Sequence, residues 1–271
     1  MWSLRSVAIR TDLFLTAFDG EVIDRERYVV IRTPSNPSYW WGNYLVYPEP
    51  PDATSHRVWL DDSARELPGI AATLLAWDRP DGASGDLAPF LRDGFAIDDG
   101  TILTATCRDL VMPPRHNDDV SVAPLAGDAH WDEAARALMS AFAPRRSGTL
   151  DDLRAFVVRQ LARYRAMQDA GIGQWYGAFV GGELAGTLGL VRVEGSALGR
   201  FQLVGTDPRF ARLGVCSTLV HEVARRALEE QGFATLVMAA DADYHAAKVY
   251  ESVGFHATER LLSVIRKPPT A

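Results

Sequence analysis

At 271 residues with 47% hydrophobic content, the chain exceeds what one core usually serves and suits two domains of ordinary size. Its formal charge of -7 excludes a general nucleic-acid binder, because phosphate neutralisation needs a basic surface, so any anionic ligand must be caught by a local cluster of donors. Cys107 and Cys216 lie too far apart for a disulfide framework or thiolate metal site, and no apolar run is long enough to span a bilayer, so the expected protein is soluble, unprocessed and cytoplasmic, with no membrane partner.

In the first half, "NPSYWWGNYLVY" (36–47) is rich in aromatics that can line a cleft or fill a core. The following "YPEPPDATSHRVW" (47–59) holds three prolines and no glycine, so its main chain is poorly equipped to cradle an anion. "GIAATLLAWD" (69–78) predicts a buried strand, "FLRDGF" (90–95) a short helix stopped by Gly94, and "FAIDDGTILTATC" (95–107) a hairpin-like end. Two prolines in "VMPPRHNDDV" (111–120) break periodicity and suit an exposed connection, dividing the chain into domains 1–112 and 113–271.

The second half opens with a strand in "SVAPLAG" and continues with helices in "HWDEAARALMSAFA" and "LDDLRAFVVRQLARYRAMQDAG", the latter repeating Leu153, Val157, Leu161 and Tyr164 at helical spacing before Gly171. "WYGAFVGGELAGTLGLVRV" reads as two strands joined by a Gly-Gly turn, and "RFQLVGT" as another strand. A helix from about Leu213 to Gln231 buries Cys216, Leu219, Val220, Val223 and Ala227, which puts His221, Glu222, Arg225 and Arg226 on or near its outer face. Then "GFATLVMAAD" (232–241), "YESVGF" (250–255) and "FHATERLLSVIRK" repeat the order and spacing of the first half's strand, Gly-Phe stop and hairpin-like end. The pattern predicts a tandem duplication and a mixed sheet covered by helices, an α/β or α+β fold.

Chemistry concentrates in "TDPRFARLGVCSTLVHEV" (206–223), where a proline-opened loop feeds a helix start. The first turn of a helix has unpaired N–H groups and the positive end of the dipole, Gly214 permits close approach of an anion, and Arg209 and Arg212 supply charge-assisted donors. Without a ligand the same stretch is a solvated loop before an ordinary helix.

With this loop, the strand before it and the closing "YESVGF", residues 119–267 resemble the GCN5-related N-acetyltransferase (GNAT) superfamily, and the first half resembles a degenerate copy without the CoA loop. The resemblance implies two GNAT-like domains in tandem, each a mixed, mostly antiparallel sheet flanked by helices. The family's Arg/Gln-x-x-Gly-x-Gly/Ala falls on Ala211, Arg212, Leu213, Gly214, Val215 and Cys216, which keeps the central glycine but carries alanine and cysteine at the ends. By that match, main-chain N–H groups from Arg212 to Ser217 hold the pyrophosphate of acetyl-CoA as co-substrate, and Val204 and Thr206 lie along the pantetheine arm. Asp243 falls where the family often has a cofactor-contacting asparagine, or else caps a helix. Tyr250 matches the tyrosine that protonates the departing thiolate, or else packs on Ala246, Ala247 and Val253.

The family's strand glutamate is missing from "FQLVGT", which leaves Asp207, Asp243, His245 or a water chain to accept the amine's proton. His245 has the best-matched unperturbed pKa, about 6.5, but can equally cap or solvate the short helix. Cys216, on the apolar face, reads as a small core residue, not a nucleophile. The implied function is direct transfer of an acetyl group from acetyl-CoA to the amine of a small molecule or peptide in a ternary complex, with a non-catalytic acyl-CoA sensor or scaffold as the alternative. Gly214→Glu is expected to abolish acetyl-CoA binding with little loss of fold.

Overall fold

The computed structural model describes residues 3–144, 149–241 and 246–268. In chain order the first half runs α1 (Val7–Thr16), β1 (Glu21–Asp24), β2 (Val29–Arg32), β3 (Tyr44–Tyr47), α2 (Ser55–Glu66), β4 (Thr73–Trp77), α3 (Ala88–Arg92) and β5 (Ala96–Ala105). The second runs β6 (Val120–Pro124), α4 (Gly127–Phe142), α5 (Leu150–Asp169), β7 (Gly173–Val180), β8 (Glu183–Arg192), β9 (Leu198–Thr206), α6 (Val215–Arg225), β10 (Thr235–Asp241), α7 (Ala246–Glu251) and β11 (His256–Arg266). Among the described residues no helix is long and apolar enough to cross a membrane.

The chain divides into two compact units, one of Met1–Ile102, Ala239–Asp243 and Ala257–Ala271, the other of Leu103–Met238 and Tyr244–His256. In the first, the strand order is β1-β2-β3-β4-β11-β5. Its β11 pairs antiparallel with β4, from Ser263 opposite Ala76 to Arg266 opposite Thr73. The C-terminal strand thus belongs to the sheet of the N-terminal half, so the compact units do not follow the seam that composition suggests near residue 112. The aromatic residues of this unit mostly fill its core: Tyr47 stacks on Trp59 at 3.8 Å, and Tyr44, Trp77 and Phe90 are fully buried.

The second unit orders its strands β10-β9-β8-β7-β6. Local sequence dictates most of its elements. Thr149 and Asp152 form a reciprocal capping box at the start of α5, which ends where Gly171 (φ +74°) donates to Gln168 O and Ile172 donates to Met167 O. Gly181 and Gly182, both at positive φ, make the two-residue turn from β7 to β8.

The two halves repeat one design. The parallel pair β3/β4 is bridged by α2, and the parallel pair β9/β10 by α6. Each short helix is then closed by a phenylalanine N–H donating to a carbonyl five residues back, Phe95 to Phe90 O and Phe255 to Tyr250 O, both at 3.1 Å, across the positive-φ glycines Gly94 and Gly254. The expected hairpin-like ends are instead single long strands, β5 and β11. The turn-like residues Asp98 to Gly100 stay extended because their side chains serve the ladder: Asp99 pairs with Arg260 at 2.6 Å and Asp98 accepts from Ser263 at 3.5 Å.

Candidate functional site

β9 carries an irregularity that its sequence does not announce. Gly189 faces Gln202 and Thr187 faces Gly205, so Leu203 and Val204 together oppose one residue of β8, and Leu203 takes φ +47°. This is a β-bulge, which bends the strand and re-aims its groups. The parallel register with β10 runs from Thr235 opposite Leu198 to Val237 opposite Arg200, and β9 continues to Thr206 with residues 202–204 half-buried. Gln202 is held from the α5 side, where its Oε1 accepts from the Tyr164 hydroxyl at 3.2 Å.

Beyond β9, Asp207 caps a single 3-10 turn, Pro208–Phe210. Its buried carboxylate accepts from Arg209 N at 2.9 Å, Nε at 3.1 Å and Nη2 at 2.8 Å, and the Arg209 guanidinium holds this carboxyl below the usual range. Asp207 is therefore a poor proton acceptor. Arg209 also reaches Glu183 at 2.7 Å, so its charge is already compensated between two carboxylates, contrary to the expectation that it serves an anion. Arg212, at φ +66° and exposed, has no ion-pair partner among the described residues and keeps that capacity.

Gly214 is the N-cap of α6 at φ +77°, with no side-chain cap. Leu213 before it is exposed, so the helix starts later than the periodicity suggests, and it passes into a π turn at Arg226–Glu230 instead of running regularly to Gln231. What approaches Gly214 most closely is the protein itself: a Cβ there would lie 2.1 Å from Arg115 O. The segment 115–117 is fastened over the helix start by Ser217 Oγ donating to Arg115 O (3.1 Å), Asn117 N donating to Thr218 Oγ1 (2.9 Å) and Asn117 Nδ2 donating to Leu213 O (2.7 Å). At about 1 kcal/mol each, these bonds make the cover a persistent part of the fold. The expectation that Gly214→Glu spares the fold is therefore overturned, since any side chain there meets backbone. Beside this cover lies a concavity of about 460 Å³, lined by Arg115, His116, Asn117, Asp118, Asp119, Arg212, Leu213 and Gly214.

Farther along the helix start, Val215 and Ser217 are buried, and Ala211 before the cap is exposed. Burial pushes the Cys216 thiol up to about 11, against the smaller opposing effect of the Thr206 hydroxyl beside it, so Cys216, half-buried rather than a full core residue, is a neutral thiol at physiological pH. The Thr206 Oγ1 is buried and has no hydrogen-bond partner within normal length. Tyr250, 5% exposed on α7, stands at the repeat position that Phe90 occupies in the first half, so one hydroxyl distinguishes the two. Asp243 and His245 lie outside the described residues.

Two features were not foreseen. A cavity of about 710 Å³ opens between α4, α5 and the Asp207 turn, with Asp132, Glu133, Arg136, Arg154, Glu183 and Arg209 on its walls. Those of Asp132, Glu133, Arg136 and Arg154 sit on helix faces that periodicity alone reads as solvated. His221, expected on the outer face of α6, is 5% exposed, because the 115–117 cover lies over that face.

With this geometry in place, comparison with known proteins gives the following. Residues 134–255 match the model of the acetyltransferase (GNAT) family. No curated protein sequence matches the chain. A conserved Staphylococcus epidermidis protein of unknown function superposes with a TM-score of 0.71 at 12% identity, over 93% of this chain and 95% of that one. A GCN5-related N-acetyltransferase from Kribbella flavida gives 0.62 at 12% identity over 97% of both chains. A tandem GNAT protein from the clavulanic acid biosynthesis pathway gives 0.52 at 12% identity, over 79% and 70%. At such identities the likeness is one of fold, and it extends across both halves, as the duplication expects.

Proposed function

From a chain whose residues 134–255 are a GNAT-family domain, we propose that the second half moves an acyl group, acetyl foremost, from acyl-CoA to an amine by direct attack in a ternary complex. The observation that carries this reading is the start of α6: first-turn N–H groups without intrahelical partners next to the 115–117 cover, with Arg115 and Arg212 lining the adjoining concavity. Main-chain groups from Arg212 to Ser217 hold the pyrophosphate in this proposal, and backbone groups of Val204 and Thr206 align the pantetheine arm. The amine enters from the larger cavity, whose walls carry Asp132 and Glu133 beside Arg136 and Arg154.

The nitrogen attacks the thioester carbonyl, a C–N bond forms as the C–S bond breaks, and Tyr250 protonates the leaving thiolate. Because Gln202 is an amide already engaged by Tyr164 and Asp207 is committed to Arg209, Asp243 and His245 remain the proposed acceptors of the amine's proton. Thiol release on mixing acetyl-CoA with polyamines, aminoglycosides, amino acids and peptide N-termini tests the reaction. Calorimetry of Arg212→Asn, a residue that tolerates positive φ, tests the cradle: affinity for acetyl-CoA is expected to fall by about 1–3 kcal/mol. Undiminished affinity would place the pyrophosphate elsewhere.

The missing carboxylate on β9 favours one second reading, a non-catalytic acyl-CoA sensor. Such a protein binds acetyl-CoA but releases no thiol with any amine offered.

A further inference from the structure

We propose that His116, His221 and Glu222 bind a divalent transition-metal ion, zinc foremost, which staples the segment before β6 to α6. One donor atom from each of the three lies within 4.8 Å of the others. Glu222 Oε1 is the shared neighbour, 3.3 Å from His221 Nδ1 and 3.9 Å from His116 Nε2, and the two imidazole rings stand at 87° with centroids 6.0 Å apart. Ligands of a tetrahedral zinc with bonds of about 2.0–2.1 Å sit roughly 3.4 Å apart, so inward movement of about 1 Å completes the triangle.

The protonation pattern suits a ligand set. His116 Nδ1 lies 3.1 Å from Asp118 Oδ1, and a neutral ring that carries its proton on Nδ1 turns the Nε2 lone pair toward Glu222. That Nε2 is buried and makes no hydrogen bond. A lone pair facing a carboxylate with water excluded is unfavourable, and a cation between them removes the conflict. The surroundings are those of an outer shell: Asp118 Oδ1 faces His116 Nδ1, and Arg225 Nη2 approaches Glu222 Oε2 at 3.7 Å. Two imidazoles and a carboxylate suit zinc, cobalt, nickel or copper over calcium or magnesium, and a fourth position is left for water.

The location gives the ion a structural task. His116 lies in the stretch whose Arg115 carbonyl covers Gly214, while His221 and Glu222 lie on the second turn of the helix that Gly214 caps. A metal bridging them would lock the cover in place whatever reaction the domain performs.

Titration of metal-free, tag-free full-length protein with Zn(II), and with Co(II) for its visible absorption, tests the site. One equivalent is expected to bind with a micromolar or tighter dissociation constant and to raise the melting temperature. His116→Ala, at a half-buried position that should not disturb folding, is expected to weaken binding by about 100-fold or more and to abolish the thermal shift, while Asp118→Asn weakens it by about 10–100-fold. Absence of stoichiometric binding, or binding undiminished in His116→Ala, would overturn the proposal and leave the cluster a proton-sharing contact.

Discussion

Phe90 and Tyr250 occupy the same step of two copies of one repeat, each buried and each accepting the N–H of a phenylalanine five residues on. The first half thus shows that a bare ring can close this step, which makes the hydroxyl of Tyr250 the difference between the two copies. Tyr250→Phe is expected to lower turnover by roughly 10²-fold, the scale of losing a general acid, with acetyl-CoA affinity little changed. Steady-state kinetics beside calorimetry will decide, and an unimpaired enzyme would return Tyr250 to the core. Gly214 poses the converse problem. Gly214→Ala must hold an L-residue at φ +77° and also displace Arg115 O, whereas Gly182→Ala, at φ +86°, meets nothing within 4 Å. The conformation alone costs about 1–2 kcal/mol at either position. Urea unfolding of both variants should therefore show the larger loss at Gly214, and equal losses would mean that the 115–117 cover does not press on the cap.

At the scale of elements, the turn after β9 depends on one carboxylate. Asp207 is buried and has its pKa lowered first by its bond to Arg209, so its contribution to stability is fully present above the ordinary value of about 3.9 and is lost as pH falls through the depressed one. Asp207→Asn should accordingly be less stable than wild type at neutral pH, with the gap closing as pH drops through the carboxylate range. Urea midpoints measured across that range will show it, and a gap independent of pH would mean the carboxylate's charge is not what holds the turn. Elements set by their own residues were legible in advance: α5 from its apolar period and Gly171, and the β7–β8 turn from Gly181 and Gly182. Features set by distant residues were not. The bulge falls on Leu203, a type that gives no sign of positive φ, and His221 is buried by a segment about a hundred residues earlier in the chain. Asp98 to Gly100 resemble a turn until Arg260 and Ser263 are placed beside them.

For the whole molecule, the decisive feature is that the last strand of the second repeat completes the sheet of the first unit. Leu262 and Val264 of β11 pack with Leu75 and Trp77, and Ile265 packs with Leu74. A duplication read along the sequence suggests that residues 113–271 can be cut out as a self-sufficient domain, but the pairing of β11 with β4 argues otherwise. In that fragment three buried aliphatic side chains lose their partners, at roughly 1.5–3 kcal/mol each. The sum is on the order of 5 kcal/mol, comparable with the entire stability of many domains. The freed strand also presents an unpaired apolar edge, which promotes aggregation. Fragment 113–271 is therefore expected to aggregate or unfold without cooperativity, and co-expression with residues 1–112 to restore a soluble complex by returning β4 to β11. Size-exclusion chromatography and urea unfolding distinguish the outcomes. A monodisperse fragment that unfolds as cooperatively as the full chain would show that β11 can close its own half, and that the observed pairing with β4 is dispensable for folding.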